Sequence, residues 1–218
     1  MDLFTLPLTT KVNKVIPKNA FDSYITTKQK KLFTDLIARI TWTHKISTDT
    51  VNLEAKDINE IQVFRIELKV REDIKAVLDI IDKSIPYNII FVVQFENSVY
   101  ISTSVKHKHP INEDNAVLDW TFKSEWFSLS EKKYNLQLKK NIDVVYHDFC
   151  IQLSDNPSMA TKSLHALIAY KKKVNVLEKE IAKLRSSMAN SKQFNNKVEL
   201  NLKIKASENE LQSLLSGD

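Results

Sequence analysis

The 218-residue sequence predicts an α+β fold: a mixed β-sheet with packed helices over residues 1–157, then an antiparallel helical hairpin (a coiled coil) over residues 160–218. Three observations carry that expectation. Residues 61–93 read as strand, helix, strand. Residues 99–127 hold two further stretches in which apolar and polar side chains alternate. Beyond residue 160 the apolar spacing switches to three and four without a break.

Taken in order, Pro7 and Pro17 mark an extended entry segment. Thr26 and Gln29 have the spacing of a capping box, and Leu32, Phe33, Leu36, Ile37 and Ile40 recur at helical intervals, which predicts a helix from Thr26 to about Lys45. Ile61 to Val70 alternates as a strand. Gln62, Phe64, Ile66, Leu68 and Val70 share one face; Ile61, Val63, Arg65, Glu67 and Lys69 share the other. Asp73 is placed to cap a helix that carries Ile74, Val77, Leu78 and Ile81 and stops at Pro86. The apolar run Ile89–Val93 is too short for a lone helix and reads as a strand buried on both faces, so the segment predicts a parallel β-α-β crossover.

Asn97-Ser98 suits a tight turn into a partner strand, Val99–Val105. Lys106 to Asn115 reads as a polar loop, and Val117 to Phe127 as a further strand. Ile142, Val145, Tyr146, Phe149 and Leu153 form a helical stripe closed by Pro157. The final quarter holds a heptad seam: Leu167, Tyr170, Val174, Leu177, Ile181, Leu184 and Met188, repeated by Leu200, Ile204, Ser207, Leu211 and Leu214. The short polar stretch Met188–Gln193 favours a hairpin. A continuous helix that forms a homodimer would bury the same seam and stays open.

Composition removes whole classes of chemistry. The single glycine is Gly217. Walker loops, dinucleotide turns and the nucleophile elbow need glycine where backbone meets phosphate or φ turns positive, so no such site is expected, nor any cofactor. One cysteine, Cys150, excludes an intramolecular disulfide and a Cys-rich zinc site, and fits a reducing cytoplasm. No apolar run approaches the ~18 residues of a membrane span, and no basic start followed by an apolar run marks an export signal. The net charge of +5 is wholly that of residues 160–218, where 11 lysines and arginines face 6 acidic residues. A basic face attracts phosphate or an acidic protein surface, and Lys171, Lys172 and Lys173 are the nucleic-acid-binding candidates. Aromatic stacking groups do not accompany them, and a solvated helical face is the plainer reading.

One constellation has catalytic flavour. Glu67-Leu68-Lys69 places a carboxylate and an ammonium on one face of a strand, as metal-dependent nucleases do when a further upstream acid, here Asp57 or Asp49, completes the site. A charged stripe on a half-exposed strand is the bland alternative, and it is favoured. His107 and His109, flanked by Lys106 and Lys108, are too few ligands for zinc, so no metal is expected. His147 and Cys150 share a helical face, but the thiol sits in an apolar context that would leave it inert. Trp42, Trp120 and Trp126 read as core.

Several phrases together carry a family likeness: Val15-Ile16-Pro17-Lys18, Ile40-Thr41-Trp42-Thr43-His44-Lys45, Glu60-Ile61-Gln62-Val63-Phe64, Ile81-Asp82-Lys83-Ser84-Ile85-Pro86-Tyr87, and Gln193 to Asn201. The sequence resembles an uncharacterised prokaryotic family, domain of unknown function family 4391. The resemblance implies a neighbourhood of helicases and DNA methyltransferases in restriction-like, phage-defence gene clusters, and it supplies no catalytic residues. With the seam and the missing glycines, the expectation is a non-enzymatic accessory subunit that docks to a helicase or methyltransferase through its hairpin. The alternatives are a nuclease built on Asp57, Glu67 and Lys69, or DNA binding by the basic hairpin.

Overall fold

The computed structural model describes residues 3–108, 116–154, 156 and 161–216. In chain order the elements are β1 (Lys11–Val15), α1 (Thr27–Leu36), β2 (Ile37–Ser47), the single turn α2 (Thr48–Val51), β3 (Glu60–Leu68), α3 (Lys75–Ser84), β4 (Asn88–Phe95), β5 (Ser98–Lys108), β6 (Ala116–Lys123), β7 (Phe127–Ser128), α4 (Ile142–Ser154), α5 (Leu164–Asn190) and α6 (Phe194–Ser216). The chain divides into two compact units, Met1–Pro157 and Ser158–Asp218.

The first unit is built on one mixed sheet of order β1-β2-β3-β4-β5-β6, with β7 paired to β5. Only β3 and β4 run parallel, Phe64 standing opposite Phe91, and α3 crosses between them as the strand-helix-strand pattern predicts. Both strands are buried on both faces, as the apolar run in β4 requires. On one face Phe64, Ile66, Phe91, Val93 and Tyr100 meet Phe33 of α1 and Val77, Leu78 and Ile81 of α3. On the other, α4 brings buried Val145, Tyr146 and Phe149 against the sheet. There the Tyr146 hydroxyl donates to the Ser104 carbonyl at 2.8 Å and meets the Thr103 hydroxyl at 2.9 Å. The Thr103 hydroxyl in turn donates to the Ile89 carbonyl at 2.7 Å, so the polar groups under α4 are linked to one another.

The capping box at Thr26 forms as the sequence predicts: the Gln29 N–H donates to Thr26 Oγ1 and the Thr26 N–H to Gln29 Oε1. The helix it starts is shorter than expected. It ends at Leu36, and Ile37–Ser47 is the strand β2. Ile37, Ile40, Thr41, Trp42, Thr43 and Ile46 are β-branched or aromatic, side chains that favour a pleated surface. Pairing with β1 on one side and β3 on the other then overrides the helical spacing of Ile37 and Ile40. Lys106 to Lys108, expected as the start of a loop, belong to β5, where Lys106 pairs with Leu118; the rest of that expectation, with His109, lies outside the described residues. The strand expected over Val117–Phe127 breaks after Lys123, where the Ile101 N–H donates to the Ser124 hydroxyl before β7 resumes the pairing.

A chain whose one glycine is Gly217 must turn with other residues. Asn13, Asn52, Glu96 and Lys140 take positive φ, between 51° and 60°. Asn13 sits where the β1–β2 register shifts, and Glu96 heads the two-residue turn that joins β4 to β5. Asparagine tolerates this region; glutamate and lysine are strained there. Glu96→Gly is therefore expected to stabilise the protein by about 1 kcal/mol, read as a higher urea midpoint with an unchanged slope.

The second unit is the hairpin: α5 and α6 lie against each other, joined by Ser191-Lys192-Gln193. The Ser163 hydroxyl caps α5 by accepting from the Ala166 N–H at 3.2 Å. Leu167, Leu177, Ile181 and Ile204 are buried, and every other residue of the expected seam is at least half-buried.

Candidate functional site

The three residues of the nuclease alternative are not brought together. Glu67 lies near the end of β3, with Arg39 of β2 and Gln94 of β4 as its cross-strand neighbours. Asp57 precedes the start of that strand. At about 3.3 Å per residue, the strand alone separates the two by roughly 23 Å. Asp49 lies in α2, also at the Glu60 end, where Ser47 pairs with Glu60. The stretch carrying Asp57 has a structural anchor: the Asp143 carboxylate accepts from the N–H groups of Lys56, Asp57 and Ile58 at 2.9–3.0 Å. Lys69 donates to the Thr34 carbonyl at 2.7 Å and Lys18 to the Ile37 carbonyl at 2.5 Å, so both ammoniums satisfy carbonyls at the C-terminal end of α1. Burial and the nearby Lys69 charge hold the Lys18 ammonium below its ordinary pKa. Among the described residues, no group of three or more His, Cys, Asp or Glu side chains is placed to hold a metal ion.

His107 Nδ1 lies 2.8 Å from the Asp119 carboxylate on the exposed side of β5 and β6. Cys150 is fully buried, and burial pushes its thiol well above the ordinary range, away from the nucleophilic thiolate. Trp42 and Trp126 pack against the main core, Trp126 edge-on to Tyr100, while Trp120 is half-buried on β6.

On the hairpin, the three lysines singled out by sequence have different surroundings. Lys173 pairs with Glu210 of α6 at 3.1 Å, Lys172 is exposed, and Lys171 is partly buried and has an interaction partner. Arg185 and Glu208 make a second cross-hairpin pair at 2.6 Å. Helix α6 also shows what the seam reading passed over. Phe194, Val198 and Leu202 are 78%, 44% and 63% exposed and stand four residues apart. At 100° per residue their stripe lies about 160° around the helix from the buried seam. The first half of α6 is therefore apolar on two opposite sides, and α5 covers one of them. The signal was in the sequence: Val198 and Leu202 sit beside the heptad positions, and Phe194 extends them.

In the first unit, a cavity of about 230 Å³ opens between α3 and the strands β5 and β6. Its lining includes apolar Leu78, Phe91 and Tyr100, the hydroxyls of Ser102, Ser104 and Thr121, and the ion pairs of the rim. Lys75 pairs with Asp79, and Lys123 with Asp73 at 3.1 Å. The Lys123 ammonium also stands 4.7 Å from the centre of the Tyr100 ring. Beneath these, the Asp82 carboxylate accepts from Lys106 at 2.7 Å, with the two side chains 2% and 1% exposed. Burial raises the Asp82 carboxyl and lowers the Lys106 ammonium from their ordinary values, each opposed by the partner's charge. A wider groove of about 1150 Å³ beside it shares Lys75, Asp79 and Thr121. Sequence reading missed the cavity because its walls come from segments some 50 residues apart, from Asp73 to Lys123.

Fold and sites together define an α+β sheet domain followed in the chain by a coiled-coil hairpin that is apolar on two sides. The chain belongs to the family described as Domain of unknown function (DUF4391), whose model matches residues 4–211. No curated protein and no solved structure matches it. No helix among the described residues is long and apolar enough to cross a membrane.

Proposed function

We propose that the protein is a non-enzymatic accessory subunit of a restriction-like, phage-defence assembly in the cytoplasm, docking to a helicase or DNA methyltransferase through its helical hairpin. The observation that carries this reading is the exposed Phe194-Val198-Leu202 stripe, opposite a seam that α5 already occupies. A helix with one covered and one open apolar side is suited to receive an amphipathic helix as knobs between its side chains. The setting of helicases and DNA methyltransferases is what the resemblance of the sequence to this family implies, and it is part of the proposal.

The test is co-purification of the full-length protein with the neighbouring helicase and methyltransferase. Changing Phe194, Val198 and Leu202 together to serine is expected to abolish capture while helicity stays within a few per cent. Undiminished capture by that variant would refute docking through this face. Neutralising Lys172 gives a second readout: weakened, salt-sensitive DNA retention would favour the DNA-binding alternative, which is expected to fail.

A further inference from the structure

The cavity beside α3 arises where β5 runs short of volume. Tyr100, Ser102 and Ser104 follow one another at strand period and line it together. Ser102 stands opposite Phe91 of β4 and opposite Lys123 of β6, and cross-strand partners share a face. On that face β3 and β4 carry Phe64, Ile66, Phe91 and Val93. Two serines fill far less space than such side chains, and the shortfall under α3 is the cavity of about 230 Å³. An apolar cavity of roughly 150 Å³ holds a benzene ring, so this one has room for a ring with a small polar substituent.

The charges around it cancel in place. Asp73 pairs with Lys123, Asp79 with Lys75 and Asp82 with Lys106, so each lining carboxylate already has its own ammonium. The Tyr100 hydroxyl is held in a hydrogen bond with the Ile74 backbone, and the Ser104 hydroxyl stands 3.0 Å from that of Thr121. Ser102 differs. It is 4% exposed, it lines the cavity, and its hydroxyl has no partner among the described residues, although a buried hydroxyl is ordinarily bonded. A charged ligand would sit there uncompensated or would have to break one of the three pairs, and either is costly. We infer that the cavity is a binding site for an uncharged small molecule: one ring against Leu78, Phe91 and Tyr100, and one hydroxyl or carbonyl that meets the Ser102 hydroxyl. The inference concerns the first unit alone and does not depend on hairpin docking.

The test is titration of the ¹⁵N-labelled full-length protein with four probes of similar shape: phenol, toluene, benzamidine and benzoate. Phenol is expected to give saturable amide shifts at Leu78, Ser102, Ser104 and Thr121. Toluene, which lacks the hydroxyl, should bind about fivefold more weakly, and both charged probes about tenfold or more. Ser102→Ala leaves the cavity open and removes its hydroxyl, so phenol should lose its advantage over toluene. Ser102→Leu, which fills the cavity, is expected to abolish the shifts; Thr121→Phe does the same from the rim should that variant fail to fold. Absence of saturable shifts, shifts confined to other parts of the protein, or a charged probe or toluene binding as tightly as phenol would each overturn the assignment. So would an undiminished preference for phenol in Ser102→Ala, or binding retained in a folded cavity-filling variant.

Discussion

Lys106→Met is expected to destabilise the protein by about 3–5 kcal/mol, because it strands a buried charge. The Lys106 ammonium is 1% exposed and spends all three donors on the C-terminal part of α3 and the turn after it: Asp82 Oδ1, the Asp82 carbonyl and the Ile85 carbonyl. Removing it leaves the Asp82 carboxylate buried without its counter-ion and deprives both carbonyls of that donor. Burial is the larger influence on both groups, outweighing their mutual attraction. A pair in that balance is costly to break but not costly to replace. The double variant Asp82→Leu with Lys106→Met is accordingly expected to recover most of the loss. Urea unfolding of the two single variants and the double one closes the cycle. A loss under about 1 kcal/mol for Lys106→Met alone would mean that water reaches the pair and that it contributes as a surface bridge does.

Where one physical signal dominates, the sequence was readable. The apolar run of β4 could only be a doubly covered strand, and the unbroken seam of α5 and α6 could only be a buried helix–helix contact. Reading failed where two periods coincide. Ile37 and Ile40 are three apart, which suits a helix, and the strand-forming content of Ile37–Ser47 decided the matter only through pairing on both edges. Glu67-Leu68-Lys69 was visible as a pattern, but its meaning lay in contacts no pattern encodes: Lys69 is drawn to the end of α1, and the segment of Asp57 to the Asp143 carboxylate. The cavity was invisible for the same reason. Its hydroxyls alternate along β5 as those of any half-exposed strand would, and only α3 folding over them makes an enclosure. Lys106, read as the start of a solvated loop, is among the most buried lysines, because its charge is satisfied by the end of a helix 20-odd residues earlier.

The largest loss of ordered structure is expected from Ile181→Asp. Ile181 is buried at the middle of the α5 seam, and Ile204 is the buried apolar residue of α6. Exchanging it for a carboxylate removes the apolar contact and buries a charge without a partner, a cost of roughly 4 kcal/mol or more. Most of the stability of a helix in a protein comes from packing its apolar face, so once the seam opens neither α5 nor α6 has much to hold it. The 27 residues of α5 and 23 of α6 outnumber the 10, 4, 10 and 13 of α1 to α4, so more than half of the helical ellipticity should disappear. Trp42, Trp120 and Trp126 all belong to the first unit, so its fluorescence should be unaltered if the two units fold separately. Full ellipticity in the variant would show that the seam does not hold the hairpin, and a joint loss of both signals would show that the units fold as one. Set beside the serine variant of Phe194, Val198 and Leu202, it separates two kinds of apolar surface on one helix. The inner side is needed for the hairpin to exist and the outer side for it to be recognised, so only the inner change should lower helicity while both should release the partner.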